Sequence, residues 1–445
     1  MTADTVGSAA ALRAANLAFA TRYPGEAGAR QPVHTVYGGA QLFGPDAARK
    51  LGDVAQRAMR EYAPDAATLG EALGIGTHPA LDTIYARVVN KLQREPIEDF
   101  RIDFEDGYGN RPDAEEDGHC VAVAEALATG MKQGTLPPFI GMRIKPLNEE
   151  LRARSTRTLS LVLTELVKRA GAIPDHFVVT VPKIVILEQV EFIVAELARL
   201  EHTLGLGAGS WKFEVMVETP QSVLDSEGRS LLPRIPAVSG GRLTGAHFGT
   251  YDYTAGVNIT AAHQRMRHPA CDFAKHFMQV SLAGTGIWLS DGSTTVMPVP
   301  LHRAAASETL SSAHIAANRA SVHGAWKLHF DDIQHSLVGG FYQGWDLHPA
   351  QLVTRYAALY AFFLDGIDAA AARLSNFVNK AAQATLVGDV FDDAATGQGL
   401  LNFFLRGVNS GAITEEDAVA MTGLSVDELR GRSFVKILKN RSSVP

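Results

Sequence analysis

Cysteine is scarce: Cys120 and Cys271 are the only two in 445 residues. That excludes a disulfide-stapled scaffold. One bridge remains open, and two buried thiols in a reducing cytoplasm are the expected state. A basic excess is also lacking. Lys and Arg number 41 against 48 Asp and Glu, the net charge is -7, and no basic block occurs. Nucleic acid is therefore not an expected partner. No apolar run approaches the ~20 residues of a membrane span, so no membrane association is expected. Internal repeats and low-complexity tracts are missing, which excludes solenoids. Residues 1–24 are rich in alanine, but Asp4, Arg13 and Arg22 interrupt them. They read as a helical start, not a cleaved leader. The expected location is cytoplasmic.

What is present is alternation. Hydrophobic residues make up 46% and charged residues 20%, ordinary values for a globular protein. Short β-rich runs predict strands at Val33–Tyr37, Asp99–Phe104, Phe139–Ile144, Phe177–Val181, Phe213–Val217, Leu243–Phe248, Ile287–Ser290 and Gly339–Leu347. Helical spacing predicts helices at Ala9–Tyr23, Pro45–Tyr62, Leu81–Glu95, Ala114–Met131, Glu149–Arg169, Leu187–Leu204, His263–Leu282, Ser307–Leu337 and Ala350–Gln383. Ala63–Pro79, with three glycines, reads as looser. Strands alternating with helices predict a parallel sheet, and eight of them predict closure into an α/β (β/α)8 TIM barrel. The barrel is expected over residues 33–385. An N-terminal helical extension and linker (1–32) precede it. A C-terminal helical appendage (386–445) follows, with helical patterns at Gly399–Val408 and Thr414–Met421.

A barrel's chemistry belongs to the C-terminal ends of its strands. Phe213–Val217 stops at Glu218-Thr219-Pro220, where the proline blocks continuation. Leu243–Phe248 runs into Gly249-Thr250-Tyr251-Asp252. Two carboxylates on consecutive strand ends suit a hard cation such as Mg2+, which takes one or two protein carboxylates and keeps sites for water and substrate. Either acid alone reads better as a helix cap or a turn closure. The other strand ends carry Asp103, Glu105 and Asp106; Arg143 and Lys145; Lys183; Asp291; and His348. Ionisable groups placed so regularly after apolar runs favour one shared site. Arg143 has a planar fork suited to a carboxylate or a developing enolate, and an acidic neighbour would hold it in place.

Other motifs carry less. Gly205-Leu206-Gly207-Ala208-Gly209 precedes a strand, the wrong side for a dinucleotide loop, and reads as a flexible connection. His314, His323, His329 and His335 share a helical stretch, but no consecutive pair is three or four apart, so no helical zinc pair results. Ser307 shows no nucleophile-elbow pattern.

Five motifs occur in order: Asp103-Phe104-Glu105-Asp106, Arg143-Ile144-Lys145-Pro146, Pro182-Lys183, Val217-Glu218-Thr219-Pro220 and Gly344-Trp345-Asp346-Leu347-His348-Pro349. Together they resemble the HpcH/HpaI aldolase and citrate lyase β-subunit family of the phosphoenolpyruvate/pyruvate barrel superfamily. Gly249-Thr250-Tyr251-Asp252-Tyr253 is closer to the equivalent stretch of malate synthases. The resemblance implies a Mg2+ (or Mn2+)-dependent carbon–carbon lyase or aldolase working through a metal-stabilised enolate. It implies Glu218 and Asp252 as metal ligands, and Arg143 on the oxo-acid end of the substrate. Glu105 and Asp106 become the supporting acidic pair, and the backbone of Gly249 and Thr250 a holder of the substrate carboxylate. A homo-oligomer is the expected assembly.

The sequence departs from that family before residue 76 and at the strand-eight motif, where Gly344-Trp345-Asp346 precedes Leu347-His348-Pro349. This weakens any transfer of a CoA-thioester site. Asp291 and Asp346 are the available positions for a malate-synthase-like base. Three functions compete: an aldolase on a 2-oxo or 2-hydroxy acid; a Claisen-type lyase or synthase on an acyl-CoA thioester, with Arg265 and Arg267 available for phosphates; and a non-catalytic metabolite-binding barrel.

Overall fold

The run Phe177–Val181 is buried at every position, as expected of a strand covered on both faces. The same holds for Asp99–Asp103 and Phe139–Arg143, although these include charged residues. In the computed structural model, residues 3–25, 29–304, 309–379, 385–387, 390–392, 394–431 and 437 are described. The strands are β1 (His34–Gly39), β2 (Asp99–Asp103), β3 (Phe139–Arg143), β4 (Phe177–Val181), β5 (Lys212–Val217), β6 (Leu243–Phe248), β7 (Trp288–Ser293) and β8 (Gln343–Asp346). They form a closed barrel in chain order, with β1 parallel to both β2 and β8. The expected TIM barrel is what the chain forms.

The chain divides into two compact units. The first comprises Met1–Ala27, Arg143–Thr164 and Val178–Leu289. It holds β5 and β6, around the fully buried Trp211, Phe213 and Phe248. Side chains of this size stabilise by about 2–3 kcal/mol each through burial. Arg242 clamps Glu201 in a buried bidentate pair at 2.5 and 2.7 Å. Glu201 also accepts the N–H groups of Gly209 (3.0 Å) and Trp211 (2.8 Å). The glycine-rich stretch before β5, expected as a flexible connection, is instead fastened to Glu201 through the N–H groups of Gly209 and Trp211.

The second unit comprises Gly28–Met142, Glu165–Phe177 and Ser290–Pro445. Its strands carry a polar chain. Gln31 donates to Gln343 (3.0 Å), Gln343 to Thr35 (2.9 Å), and Thr35 to Asp99 (2.8 Å), which is paired with Arg101.

Several boundaries differ from expectation. Ala63–Pro79 contains a helix, Ala66–Leu73, capped by Asp65 accepting from Thr68 N–H at 2.7 Å and closed by Gly74 at φ +72°. The long helix begins at Ser312, capped by Ser311, and ends at Val338; Ser307 lies outside the described residues. The stretch expected as one helix from Ala350 breaks at Gly366 (φ +66°) into Leu352–Leu364 and Ile367–Asn379. β8 is short because Gly339 and Gly340 close the preceding helix instead of entering the strand. An antiparallel pair, Thr385–Val387 with Val390–Asp392, precedes the helices Ala394–Asn409, Glu415–Thr422 and Val426–Gly431. Neither cysteine forms a disulfide, and both are buried.

Candidate active site

Glu218 follows β5 directly, and the chain then turns at Thr219. Thr219 donates its hydroxyl to Ile184 O at 2.7 Å and accepts from Ser222 N–H at 3.3 Å, so the short helix Pro220–Val223 starts at once. Glu218 is 1% exposed. Its Oε1 accepts the backbone N–H of Lys183 at 2.7 Å. Lys183 sits at φ +50°, a left-handed conformation that costs a non-glycine residue about 1–2 kcal/mol.

Across from Glu218 lies Gly249, whose N–H donates to Val217 O at 3.0 Å. A Cβ on Gly249 would stand 2.5 Å from Glu218 Cβ and 2.6 Å from its Oε2. The missing side chain is what lets β6 pass this close. The helix Thr250–Gly256 begins at the next residue and carries Asp252 in its first turn. Asp252 is half exposed, with Lys183 Nζ 3.8 Å from its Oδ1. Thr250 is buried, its hydroxyl directed at Met266 Sδ at 3.5 Å. Arg143 is 4% exposed and donates from Nη1 to Met216 Sδ at 3.8 Å, two residues before Glu218. Arg143, Lys183, Glu218, Gly249, Thr250 and Asp252 thus belong to one unit.

Further down the same strands lies a polar cluster that periodicity did not single out. Glu214 accepts from Thr180 Oγ1 at 2.5 Å, and its Oε2 is 2.8 Å from His247 Nε2. All three are buried. The available signal was a carboxylate inside a run that is otherwise apolar and covered on both faces.

Glu105 and Asp106 lie in the second unit. Asp103 shapes their loop, accepting the N–H groups of Glu105 (3.0 Å) and Gly107 (2.7 Å). Glu105 is buried and Asp106 exposed. Three other strand-end residues of this unit are engaged in structural bonds. Asp291 accepts from Gly292 N–H at 2.7 Å and Ser336 Oγ at 2.6 Å. His348 caps the turn after β8 by accepting from Ala350 N–H at 3.1 Å.

Asp346 faces Arg355, which donates from Nε and Nη2 at 2.9–3.2 Å, and His329 Nε2 lies at 3.1 Å. Burial alone would raise this carboxyl, but Arg355 and then His329 hold it well below the usual carboxylate range. Burial pushes His34 down to about 4 and lowers His329 as well. Asp291 and Asp346, the positions available for a base, are thus members of packed networks.

The histidines of the long helix have local partners. His323 Nε2 lies 2.8 Å from Tyr62 O, and His314 stacks on His302 at 4.1 Å. Among the described residues, no three His, Cys, Asp or Glu form a metal-holding group. Glu218 and Asp252 are an all-oxygen pair beside a close-passing glycine backbone. They fit a hard cation that keeps water and substrate in its other positions, and do not fit an all-protein cage.

The chain is a closed parallel barrel of the (β/α)8 class with acids after β5 and β6. Within that class, it belongs to DUF6986, described as a domain of unknown function, whose family model matches residues 12–437. No curated protein matches it. Among solved structures, a citrate lyase from Burkholderia xenovorans LB400 matches with a TM-score of 0.57 at 18% identity, covering 88% of this chain and 96% of that one. A malate synthase from Haloferax volcanii, in a magnesium and glyoxylate complex, matches with a TM-score of 0.47 at 13% identity, covering 94% and 99%. At such identities the citrate lyase likeness establishes the fold. The family is DUF6986, where the motifs alone resembled HpcH/HpaI aldolases. No helix among the described residues is long and apolar enough to cross a membrane.

Proposed function

We propose that the protein is a Mg2+-dependent carbon–carbon lyase of the aldolase kind, acting on a 2-oxo or 2-hydroxy acid. One observation carries the reading: Glu218 packs against side-chain-less Gly249, three residues before Asp252, at the ends of adjacent barrel strands. Glu218 and Asp252 would hold the cation. When bound, it supplies Lewis-acid charge to the oxygens of the oxo acid. Arg143, buried beside β5, would present its fork to the substrate carboxylate or to the enolate oxygen. For Glu105 and Asp106, which belong to the second unit, the role of a supporting acidic pair rests on the motif resemblance alone. In cleavage of a 4-hydroxy-2-oxo acid, the C4 hydroxyl gives up its proton and becomes a carbonyl as the C3–C4 bond breaks; the electron pair of that bond becomes the enolate of the released oxo acid, which then takes a proton at C3. Synthesis runs the same steps in reverse.

The likeness to a citrate lyase keeps a second reading in view. There the same carboxylates serve a Claisen-type reaction, and an acyl-CoA thioester is the enolised partner. Arg265 and Arg267, both exposed, are available to its phosphates.

Proton exchange at C3 of pyruvate in D2O, followed by NMR with Mg2+ or Mn2+ and with EDTA, separates the readings. Metal-dependent exchange is expected. Absence of exchange with Mn2+ bound would move the chemistry to the thioester. Absence of both exchange and metal binding would leave a barrel that binds without reacting. Glu218→Gln and Asp252→Asn are expected to abolish exchange while the far-UV circular dichroism stays unchanged; full activity in either variant would remove that residue from the site.

A further inference from the structure

Lys183 touches both proposed ligands by different means. Its backbone N–H donates to Glu218 Oε1 at 2.7 Å, and its Nζ stands 3.8 Å from Asp252 Oδ1. To do the first, the chain after Pro182 is held at φ +50°. Glycine would adopt that conformation without strain, so the position is one where a lysine carries a conformational cost. The other non-glycine residues with positive φ among those described are His176 and Asn258. Asparagine tolerates this region through its short polar side chain; lysine has no such compensation.

The contact to Asp252 is of another kind. At 3.8 Å it exceeds hydrogen-bond length, and the lysine and aspartate side chains are 29% and 43% exposed. It is an attraction between charges that a stronger cation can displace. A lysine suits this because its ammonium is a compact charge on a flexible stem, unlike an arginine fork locked into two bonds.

We infer that Lys183 is a built-in counter-cation for the metal ligands: it holds Glu218 and Asp252 together while no divalent ion is bound, and its ammonium gives way when one binds. This rests on the metal-binding reading above. The backbone bond to Glu218 keeps that ligand oriented in both states. The side chain offsets the repulsion between two carboxylates only in the empty state. Once a divalent ion arrives, the same positive charge opposes it. Lys183 is therefore a positioning residue that weakens metal affinity in return for order in the metal-free protein.

The test uses the full chain stripped with EDTA and titrated with Mn2+ alone by calorimetry, with thermal melts in EDTA and at saturating Mn2+. Lys183→Met removes the charge, and Lys183→Gly removes the charge and the strain together. Both variants are expected to bind Mn2+ on the order of tenfold tighter than the unmodified chain, because a like charge a few ångströms from the ion is gone. In EDTA, Lys183→Met is expected to melt lower, and saturating Mn2+ should close the gap. Lys183→Gly should melt above Lys183→Met. Equal or weaker Mn2+ binding by both variants, with binding by the unmodified chain intact, would overturn the role of Lys183 alone. If neither the unmodified chain nor the variants bind Mn2+, the metal-site reading fails and the inference fails with it.

Discussion

At the scale of single residues, glycine 249 matters through what it lacks. Its φ of -102° is open to any residue, so only the space beside it is special. In Gly249→Ala the new Cβ would fall 2.5 Å from Glu218 Cβ, which cannot swing aside as a side-chain tip can. Overpacking of this kind costs about 1–3 kcal/mol. The expected outcome is a melting temperature lower by several degrees together with weakened Mn2+ affinity, read by calorimetry. An alanine variant with unchanged affinity would show that the close approach does not organise the ligands. Arg143 offers a complementary case. Arg143→Lys keeps the charge and loses the fork, so kcat for any reaction this site performs should fall at least tenfold with the fold preserved. Unchanged kinetics would assign Arg143 a packing role beside Met216.

At the scale of elements, β1, β8 and two helices of the second unit meet in a buried ionic knot. His34 accepts the Glu98 N–H at Nε2 at 3.0 Å, and its Nδ1 is 3.6 Å from Asp346 Oδ2. His329 and Arg355 reach the same carboxylate from the helices Ser312–Val338 and Leu352–Leu364. His34 is neutral in the fold, with its pKa lowered from 6.5 to about 4 by burial. An unfolded chain takes up that proton first, so the unfolded state binds more protons across this window. Stability from this residue is therefore complete above pH 6.5 and is lost as pH falls toward about 4. The loss reaches roughly 3 kcal/mol for one histidine. Urea midpoints measured from pH 7 to 4.5 should fall steadily, and less steeply in His34→Gln. Parallel slopes for the two proteins would remove His34 from the explanation.

This knot also explains a limit of local reading. The pattern Gly344-Trp345-Asp346 after an apolar stretch looked like a loaded strand end. Only the fold reveals that Asp346 is taken up by an arginine nine positions later and by histidines far apart in the chain. Glu214 and His247 were hidden for a related reason. Period-two alternation marks which residues are covered, yet nothing local marks which covered polar groups pair across strands.

At the scale of the whole molecule, the alternation of strand and helix was legible throughout. β4 and β6 fall on their expected residues, and the others shift by a few at their ends. Apolar runs closed by turn residues carry that information directly. Glu218 and Asp252 were legible because each follows such a run at once. Lys183 was visible as an ionisable strand-end residue, but its backbone bond and left-handed turn were not. The helix Ala66–Leu73 was masked by the glycines around it, which end and flank the element instead of breaking it. The scarcity of cysteine also has a testable counterpart: Cys120 and Cys271 are both buried thiols outside any disulfide. A thiol reagent such as dithionitrobenzoate should label neither in the native protein and both after denaturation, without any reductant. Labelling that required reductant would indicate a bridge.

The contact between β1 and β8 has a further consequence, for the nascent chain. Gln31 bonds to Gln343 across 312 positions, and Thr35 to the same residue across 308. At ribosomal rates of about 5–20 residues per second, some 15–60 seconds pass between the emergence of the first strand and that of its last neighbour. Throughout that interval one edge of β1 has no partner, and an open strand edge invites pairing with other chains. Thr35, a buried polar group in place of one more aliphatic side chain, makes that waiting strand less adhesive. Production of this protein should accordingly depend more on chaperone supply and slow growth at low temperature than its finished stability would suggest.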